Sequence, residues 1–268
     1  MIPDFTDIRK SLEACAPSGK LPPSREATID IIKDIQHLMF PEYFAPSGGK
    51  ARVDIDELYL SLKAQICTAM DFCGACACGC EGLAEEIIRA LPEIRNKLYK
   101  DIEALYRGDP AASRREEVII AYPGFLAISI YRIAHEFYTR GIPLIPRIMT
   151  EYAHEKTGID INAGAKIGEY FFIDHGTGIV IGETTTIGNN VKIYQGVTLG
   201  AKSFDLDEGG DPIKGIKRHP DIGNNVIIYA NATILGGNTV IGDGAVIGGN
   251  VWLTSSVEAG KTVYYKCK

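Results

Sequence analysis

Two of the chain's five histidines, His175 and His219, lie in its repetitive C-terminal half, the others being His37, His135 and His154. His175 sits in Ile173-Asp174-His175-Gly176-Thr177-Gly178, and His219 in Lys217-Arg218-His219-Pro220. An imidazole with an ordinary pKa of about 6.5 can take a proton near neutrality, so either ring could act as a general base. A lone histidine is more often a surface or capping residue. Here the surroundings favour chemistry: Asp174 adjoins His175, Arg218 adjoins His219, and Asp160 lies fifteen positions before His175. In a coil of about 18 residues, positions 15–18 apart come into vertical register. That register would let the Asp160 carboxylate reach the imidazole and fix its tautomer.

The cysteines form a second constellation. Of seven, Cys73, Cys76, Cys78 and Cys80 fall in Cys-Gly-Ala-Cys-Ala-Cys-Gly-Cys, with Cys67 just before and Cys15 and Cys267 remote. In a reducing compartment such density suggests metal or redox chemistry rather than disulfides. The spacing matches no standard zinc signature, and a Cys-x-Cys pair is a poor bite for tetrahedral zinc. The alternative is a linker between helices whose cysteines pack as small apolar residues. No metal ligand is assigned.

The elements that must position these groups follow from hydrophobic rhythm. Ile161, Ile167, Ile173 and Ile179 keep a six-residue phase; Ile181, Ile187, Ile193 and Leu199 keep a second; Ile222, Ile228 and Ile234, then Ile241, Ile247 and Leu253, resume it. A period of six fits neither a helix nor an alternating strand. It is one flat side of a parallel β-helix, in which a short strand and a tight turn repeat. Leu199 and Ile222 are separated by a long excursion, residues 201–220, expected to protrude from the solenoid.

The preceding half has helical periodicity. Residues 1–24 read as irregular. Helices are predicted over 26–40, with Ile29, Ile32, Ile35 and Leu38 or Met39 on one face, then over 54–72, over 81–106 with a bend at Pro92, over 125–138 and over 144–154. A capping box at Ser113-Arg114-Arg115-Glu116 opens a short helix that stops near Tyr122-Pro123-Gly124. The expected organisation is an α-helical domain at 1–157 and a β-helix at 158–268, an α+β chain. A net charge of −6 argues against a nucleic-acid partner. With no spanning apolar run and no secretory signal, cytoplasmic residence is the default.

The stretch Asp160-Ile161, Ala165-Lys166-Ile167-Gly168 and Ile173-Asp174-His175-Gly176-Thr177-Gly178 through Gly182-Glu183-Thr184 resembles the serine O-acetyltransferases, hexapeptide-repeat acyltransferases. Tyr194-Gln195-Gly196-Val197-Thr198-Leu199-Gly200 and Arg218-His219-Pro220 continue the resemblance, and Asp109-Pro110-Ala111 and Tyr131-Arg132-Ile133-Ala134-His135 extend it into the helical half. The resemblance implies a left-handed parallel β-helix of hexapeptide repeats, assembled as a homotrimer or a dimer of trimers. It implies acetyl transfer from acetyl-CoA to the hydroxyl of L-serine for cysteine biosynthesis, without a catalytic metal. In those terms His175 is the general base, Asp160 orients it, and His219 contacts the reacting hydroxyl or the developing tetrahedral centre. Arg218 clamps the serine carboxylate, and Asp174 and Asp109 pair with its ammonium. Coenzyme A lies near Gly200, Ala201 and Ala230, although small residues there also suit solenoid packing. Cysteine, nearly isosteric with serine, is a plausible feedback inhibitor at the serine site.

Two departures stand out. Asp160-Ile161-Asn162-Ala163 replaces the family's usual Asp-Ile-His-Pro, keeping the aspartate but losing a nearby histidine. The tail from Lys261 to Lys268 lacks the isoleucine-ended extension by which many relatives dock into O-acetylserine sulfhydrylase, which argues against that complex. Competing readings are a hexapeptide acetyltransferase acting on another hydroxyl or amine acceptor, a non-catalytic scaffold, and a zinc carbonic anhydrase. The last needs three histidines per metal, and this solenoid offers two.

Overall fold

The computed structural model describes residues 3–14, 19–75, 79–204 and 206–265. Among the described residues, seven α-helices and a short 3-10 turn (Ser47–Gly49) precede a parallel β-solenoid of about five coils. The first helix, α1 (Thr6–Ala14), occupies part of the stretch expected to be irregular. Asp4 starts it by accepting hydrogen bonds from the Thr6 amide (3.0 Å) and hydroxyl (2.6 Å), a local cap on a helix whose described side chains are exposed.

Helix α2 (Arg25–Met39) begins at Ser24, whose hydroxyl accepts from the Ala27 amide, and it buries Ile32 and Ile35 completely. Helix α3 (Ile55–Phe72) is capped by Asp54. Helix α4 (Cys80–Gly108) runs 29 residues through Pro92. Helix α5 (Arg115–Ala121) opens at Arg114, with the Ser113 amide and hydroxyl both bonded to Glu117 rather than Glu116. It meets α6 (Pro123–Thr139) at 74°. Helix α7 (Ile145–Thr157) ends at Gly158, whose φ of +69° is the left-handed stop that glycine tolerates.

The solenoid has three faces, each a parallel ladder. The first stacks β1 (Asp160–Ile161), β4 (Val180–Ile181), β7 (Thr198–Gly200), β10 (Thr233–Leu235) and β13 (Trp252–Leu253). The second stacks β2 (Lys166–Ile167), β5 (Thr186–Ile187), β8 (Asp221–Ile222) and β11 (Val240–Ile241). The third stacks β3 (Phe172–Asp174), β6 (Lys192–Tyr194), β9 (Ile227–Ile228), β12 (Val246–Ile247) and β14 (Thr262–Val263). The hexad residues fall in register, Ile161 on Ile181 on Leu199 on Ile234 on Leu253, and Ile173 on Ile193 on Ile228 on Ile247. Interior columns of this kind explain the period, because each inward residue repeats once per face.

Coil length is not uniform. Val180 and Thr198 are register partners 18 positions apart, but Asp160 and Val180 are 20 apart. The extra pair lies in the corner containing His175. Val180 follows Asp174 by six positions, whereas in the next coil Thr198 follows Tyr194 by four. Segment 201–220 leaves the solenoid after β7 and returns at β8. Asp205 aside, Lys202 to Gly215 are exposed, and Leu206 and Pro212 form an isolated antiparallel bridge.

Candidate active site

The site residues collect at two edges of the prism, at opposite ends of the first face. One edge is the long corner after β3. His175 has φ +56°, followed by Gly176 at +84° and Gly178 at +82°. A left-handed histidine is uncommon and strained, and such positions concentrate where function needs them. The other coils turn this edge on Gly196, Asn231 and Asn250, residue types that accept the left-handed region readily. Two additional residues and the unusual backbone push the imidazole outward, leaving its side chain 72% exposed in the single chain. Its Nε2 lies 3.8 Å from Asp174 Oδ1.

The helical half supplies a second carboxylate at this edge. Asp109, at the end of α4, accepts from the Ala111 amide (2.8 Å) and from the Tyr122 hydroxyl (2.5 Å). Those two bonds, with a smaller contribution from His175, hold its carboxyl below the usual range. Tyr122 is driven the other way, by burial first and then by Asp109. Tyr194 stands beside Asp174 in register, and burial followed by the Asp174 charge raises its phenol.

Asp160 is placed differently from the register expectation. It pairs with Val180 in the ladder, and the long corner sets His175 off that column. Among the described residues no hydrogen bond joins Asp160 to His175; the carboxylate nearest the ring is Asp174. A coil of 18 residues would bring Asp160 nearer to register with His175; this coil has 20.

The second edge is the corner after β4, where segment 201–220 returns. His219 is buried against Gly182, and a Cβ on that glycine would fall 2.0 Å from the ring. The Thr184 amide donates to His219 Nδ1 at 3.1 Å, and the Thr184 hydroxyl lies 2.9 Å from the same nitrogen. An Nδ1 that accepts an amide proton assigns the ring's own proton to Nε2. Thr184 Oγ1 also accepts the amides of Arg218 and His219, each at 3.0 Å. Arg218 pairs with Glu183, which accepts from the Tyr138 hydroxyl of α6 at 2.8 Å. Burial raises the Glu183 carboxyl, but the Arg218 and Tyr138 bonds outweigh it and the net shift is downward.

Burial first, then the Arg218 charge, lowers the His219 pKa to about 4. The ring is therefore a neutral Nε2–H donor at physiological pH, suited to donating a hydrogen bond rather than carrying charge. It also links stability to pH. Below about 6.5 the unfolded chain takes up a proton that the folded chain refuses, so stability is level above that value and falls as pH drops towards 4. Denaturant titrations should show a loss of about 2 kcal/mol between pH 7.5 and 5 from this group. His219→Gln should flatten that slope; an equal slope in the variant would exclude the linkage.

Gly200 and Ala201 lie at the His219 edge, and Ala230 lies at the His175 edge. The Gly200 carbonyl accepts from the Gly236 amide (3.0 Å) and the Ala230 carbonyl from the Asn250 amide (2.9 Å). A Cβ at Gly200 would meet the Leu235 side-chain methyl at 2.9 Å, so a larger residue there would have to displace that side chain. A cavity of about 290 Å³ opens under the excursion beside Ala201, lined by Lys202, Phe204, Ile216, Arg218, Gly236 and Asn238 among others.

Among the described residues no group of three His, Cys, Asp or Glu side chains is placed to hold a metal. Cys76 and Cys78, like Cys15, Cys267 and the last residues of the tail, lie outside the described residues. Cys80 is buried, and burial pushes its thiol up to about 11. Tyr122, Tyr194, Tyr138 and Thr184 join the two edges without any motif or spacing in the sequence that marks a role for them. Tyr122 was visible only as a helix stop.

Residues 53–129 match the family model described as serine acetyltransferase, N-terminal. A plasmid serine acetyltransferase of Synechococcus elongatus is 56% identical over 181 residues, covering 68% of this chain and 56% of that protein's length. A serine acetyltransferase of Helicobacter pylori is 45% identical over 165 residues, covering 62% of this chain and 91% of the relative. The solved structure of Entamoeba histolytica serine acetyltransferase 1 in complex with L-cysteine superposes with a TM-score of 0.73 at 36% identity, covering 95% of this chain and 94% of that one. Helices and solenoid thus match together over nearly the full length of a solved relative, and the chain belongs to the serine acetyltransferases.

Proposed function

We propose that this chain moves the acetyl group of acetyl-CoA to the hydroxyl of L-serine in a crevice between two copies, each contributing one histidine edge. The observation that carries this reading is the placement of His175 and Ala230 at one end of the first face, and of His219, Arg218, Gly200 and Ala201 at the other. From Gly178 to Gly182 the face spans about 13 Å of extended chain, too far for both histidines of one chain to touch a single serine. Cyclic symmetry brings unlike edges of neighbours together, as in a homotrimer. Pairing of two trimers through residues 1–157 is compatible with that arrangement.

His175 removes the proton from the serine hydroxyl as its oxygen attacks the thioester carbonyl, then returns it to the departing thiolate, leaving O-acetylserine and CoA. Asp160 and Asp174 share the edge that steadies the imidazolium, Asp174 by the contact seen in the single chain and Asp160 as the orienting carboxylate of the family. His219, neutral and held by Thr184, directs Nε2–H at the reacting oxygen or the developing oxyanion. Arg218, fixed by Glu183, offers a planar fork to the serine carboxylate. Asp109 and Asp174 receive the ammonium. Gly200, Ala201 and Ala230 allow close approach of the coenzyme. L-cysteine, the ligand in the Entamoeba histolytica structure, would fit the serine pocket and inhibit by occupying it. No single described helix is long and apolar enough to cross a membrane, and we place the reaction in the cytoplasm.

Thiol release from acetyl-CoA should depend on L-serine and be much weaker with homoserine or amino-sugars. Co-expression of His175→Ala and His219→Ala chains tests the shared crevice. Random mixing restores a complete pair at about one interface in four, so activity should return to about a quarter of wild type. A mixture as inactive as its components would exclude the shared site.

A further inference from the structure

Tyr122 is the residue whose placement the proposed chemistry leaves unused. It stands where α5 hands over to α6 and is fixed from two sides. Its carbonyl accepts from the Leu126 amide at 3.2 Å, starting α6. Two positions on, Gly124 presses against β3, where a Cβ would lie 2.7 Å from the Ile173 carbonyl oxygen. This contact seats the turn beside Asp174, the next residue of the strand. The Tyr122 hydroxyl donates to Asp109 Oδ2 at 2.5 Å, while the Ala111 amide holds Oδ1.

The Ala111 contact is an ordinary turn bond that an aspartate makes two residues on, and alone it would mark a helix stop. The tyrosine bond is not part of that turn. It comes from thirteen residues away, on a segment anchored to the solenoid. With one hydrogen bond on each oxygen, the carboxylate cannot swing about its side-chain torsion, and each oxygen keeps a lone pair for a second donor. The held carboxylate lies near enough to His175 to feel its charge, and Tyr122 near enough to Asp174 to feel that one.

We infer that Tyr122 is a positioning residue for substrate recognition: by holding Asp109 it sets the discrimination in favour of an acceptor bearing an ammonium group. The inference rests on the reading of Asp109 as an ammonium partner. Removing the hydroxyl leaves the carboxylate in place but free to rotate, so binding of the amino group weakens while the proton-transfer machinery remains intact.

The test is steady-state kinetics of Tyr122→Phe with serine, together with inhibition by 3-hydroxypropanoate, which is serine without its ammonium. The serine KM should rise about 10-fold, the size of one hydrogen bond to a charged group. The kcat, the acetyl-CoA KM and the inhibition constant of 3-hydroxypropanoate should stay within about twofold. Asp109→Asn should raise the serine KM at least as much, and Tyr122→Phe added to it should cost no more than about twofold further. An unchanged serine KM in Tyr122→Phe, a parallel loss for serine and 3-hydroxypropanoate, or full additivity in the double variant would each overturn the inference while Asp109 keeps its role. An unchanged KM in Asp109→Asn would remove the ammonium reading itself.

Discussion

His175→Ala is expected to lower turnover by at least about 100-fold, the lower bound for a positioned general base, while binding of the coenzyme survives. The expectation follows from where the side chain stands. Its ring projects from a two-residue extension of the solenoid and is 72% exposed in the single chain, so truncating it opens no buried cavity. The loss should therefore fall mainly on kcat; alanine inherits the strained left-handed φ of +56° at this position, so a small stability cost accompanies the larger kinetic loss. Titration of acetyl-CoA into the variant, followed by calorimetry, separates the two effects. Turnover within tenfold of wild type would dismiss His175 as the base. A lost coenzyme affinity would instead assign the ring a binding role. Asp160→Asn and Asp174→Asn then distinguish the two carboxylates. The one that orients the imidazole during the reaction lowers kcat, and one that only meets the serine ammonium raises KM.

The solenoid was legible because its interior repeats. Ile173, Ile193, Ile228 and Ile247 occupy equivalent positions in successive coils, so the same burial requirement recurs and leaves a period in the chain. The corners were much less legible. Nothing in Asp174-His175-Gly176-Thr177-Gly178 shows that the turn is two residues longer than its counterparts; only strand register reveals this. The longer turn is why Asp160 falls beside Val180 and not in the column of His175. The separation of His175 and His219 onto opposite edges was latent in the hexads, since one precedes β4 and the other closes the excursion that begins after β7. Sequence spacing alone left them a pair of unplaced imidazoles.

Contacts between distant segments were not legible at all. Tyr122 meets Asp109 because Gly124 allows α6 to lie on β3, and Tyr138 meets Glu183 because the same helix crosses the β4 corner. Each depends on how the helical half sits on the solenoid. Local capping chemistry was similarly ambiguous: Ser113 could bond Glu116 or Glu117, and the helix starts one residue later than the capping box requires.

The seating of the helices on the solenoid includes one buried ion pair, and its disruption is expected to be strongly destabilising. Arg132 of α6 grips Asp101 of α4 through Nε (2.5 Å) and Nη2 (2.9 Å), with side chains 5% and 0% exposed. Neither residue serves only its partner. Arg132 also donates to the Gly168 carbonyl at 2.8 Å, and Asp101 accepts from the Phe171 amide at 2.9 Å, so two helices and the first coil meet at one point. Tyr131 and His135 extend the seam to the carbonyls of Ala165 (2.6 Å) and Ala163 (2.7 Å). Arg132→Met leaves a carboxylate buried without its counter-charge and should cost about 3–5 kcal/mol, against about 1 kcal/mol or less for an exposed pair such as Arg89–Glu85. Denaturant unfolding would measure it, with a midpoint temperature lower by roughly 10 °C. Asp101→Leu combined with Arg132→Met should lose less than either change alone, because no unpaired charge remains. Asp109 caps the helix that carries Asp101, eight residues further on, so loosening this joint should also raise the serine KM in whatever fraction stays folded. A loss below about 1 kcal/mol in Arg132→Met would show that the apolar contacts around the seam hold the two halves without it.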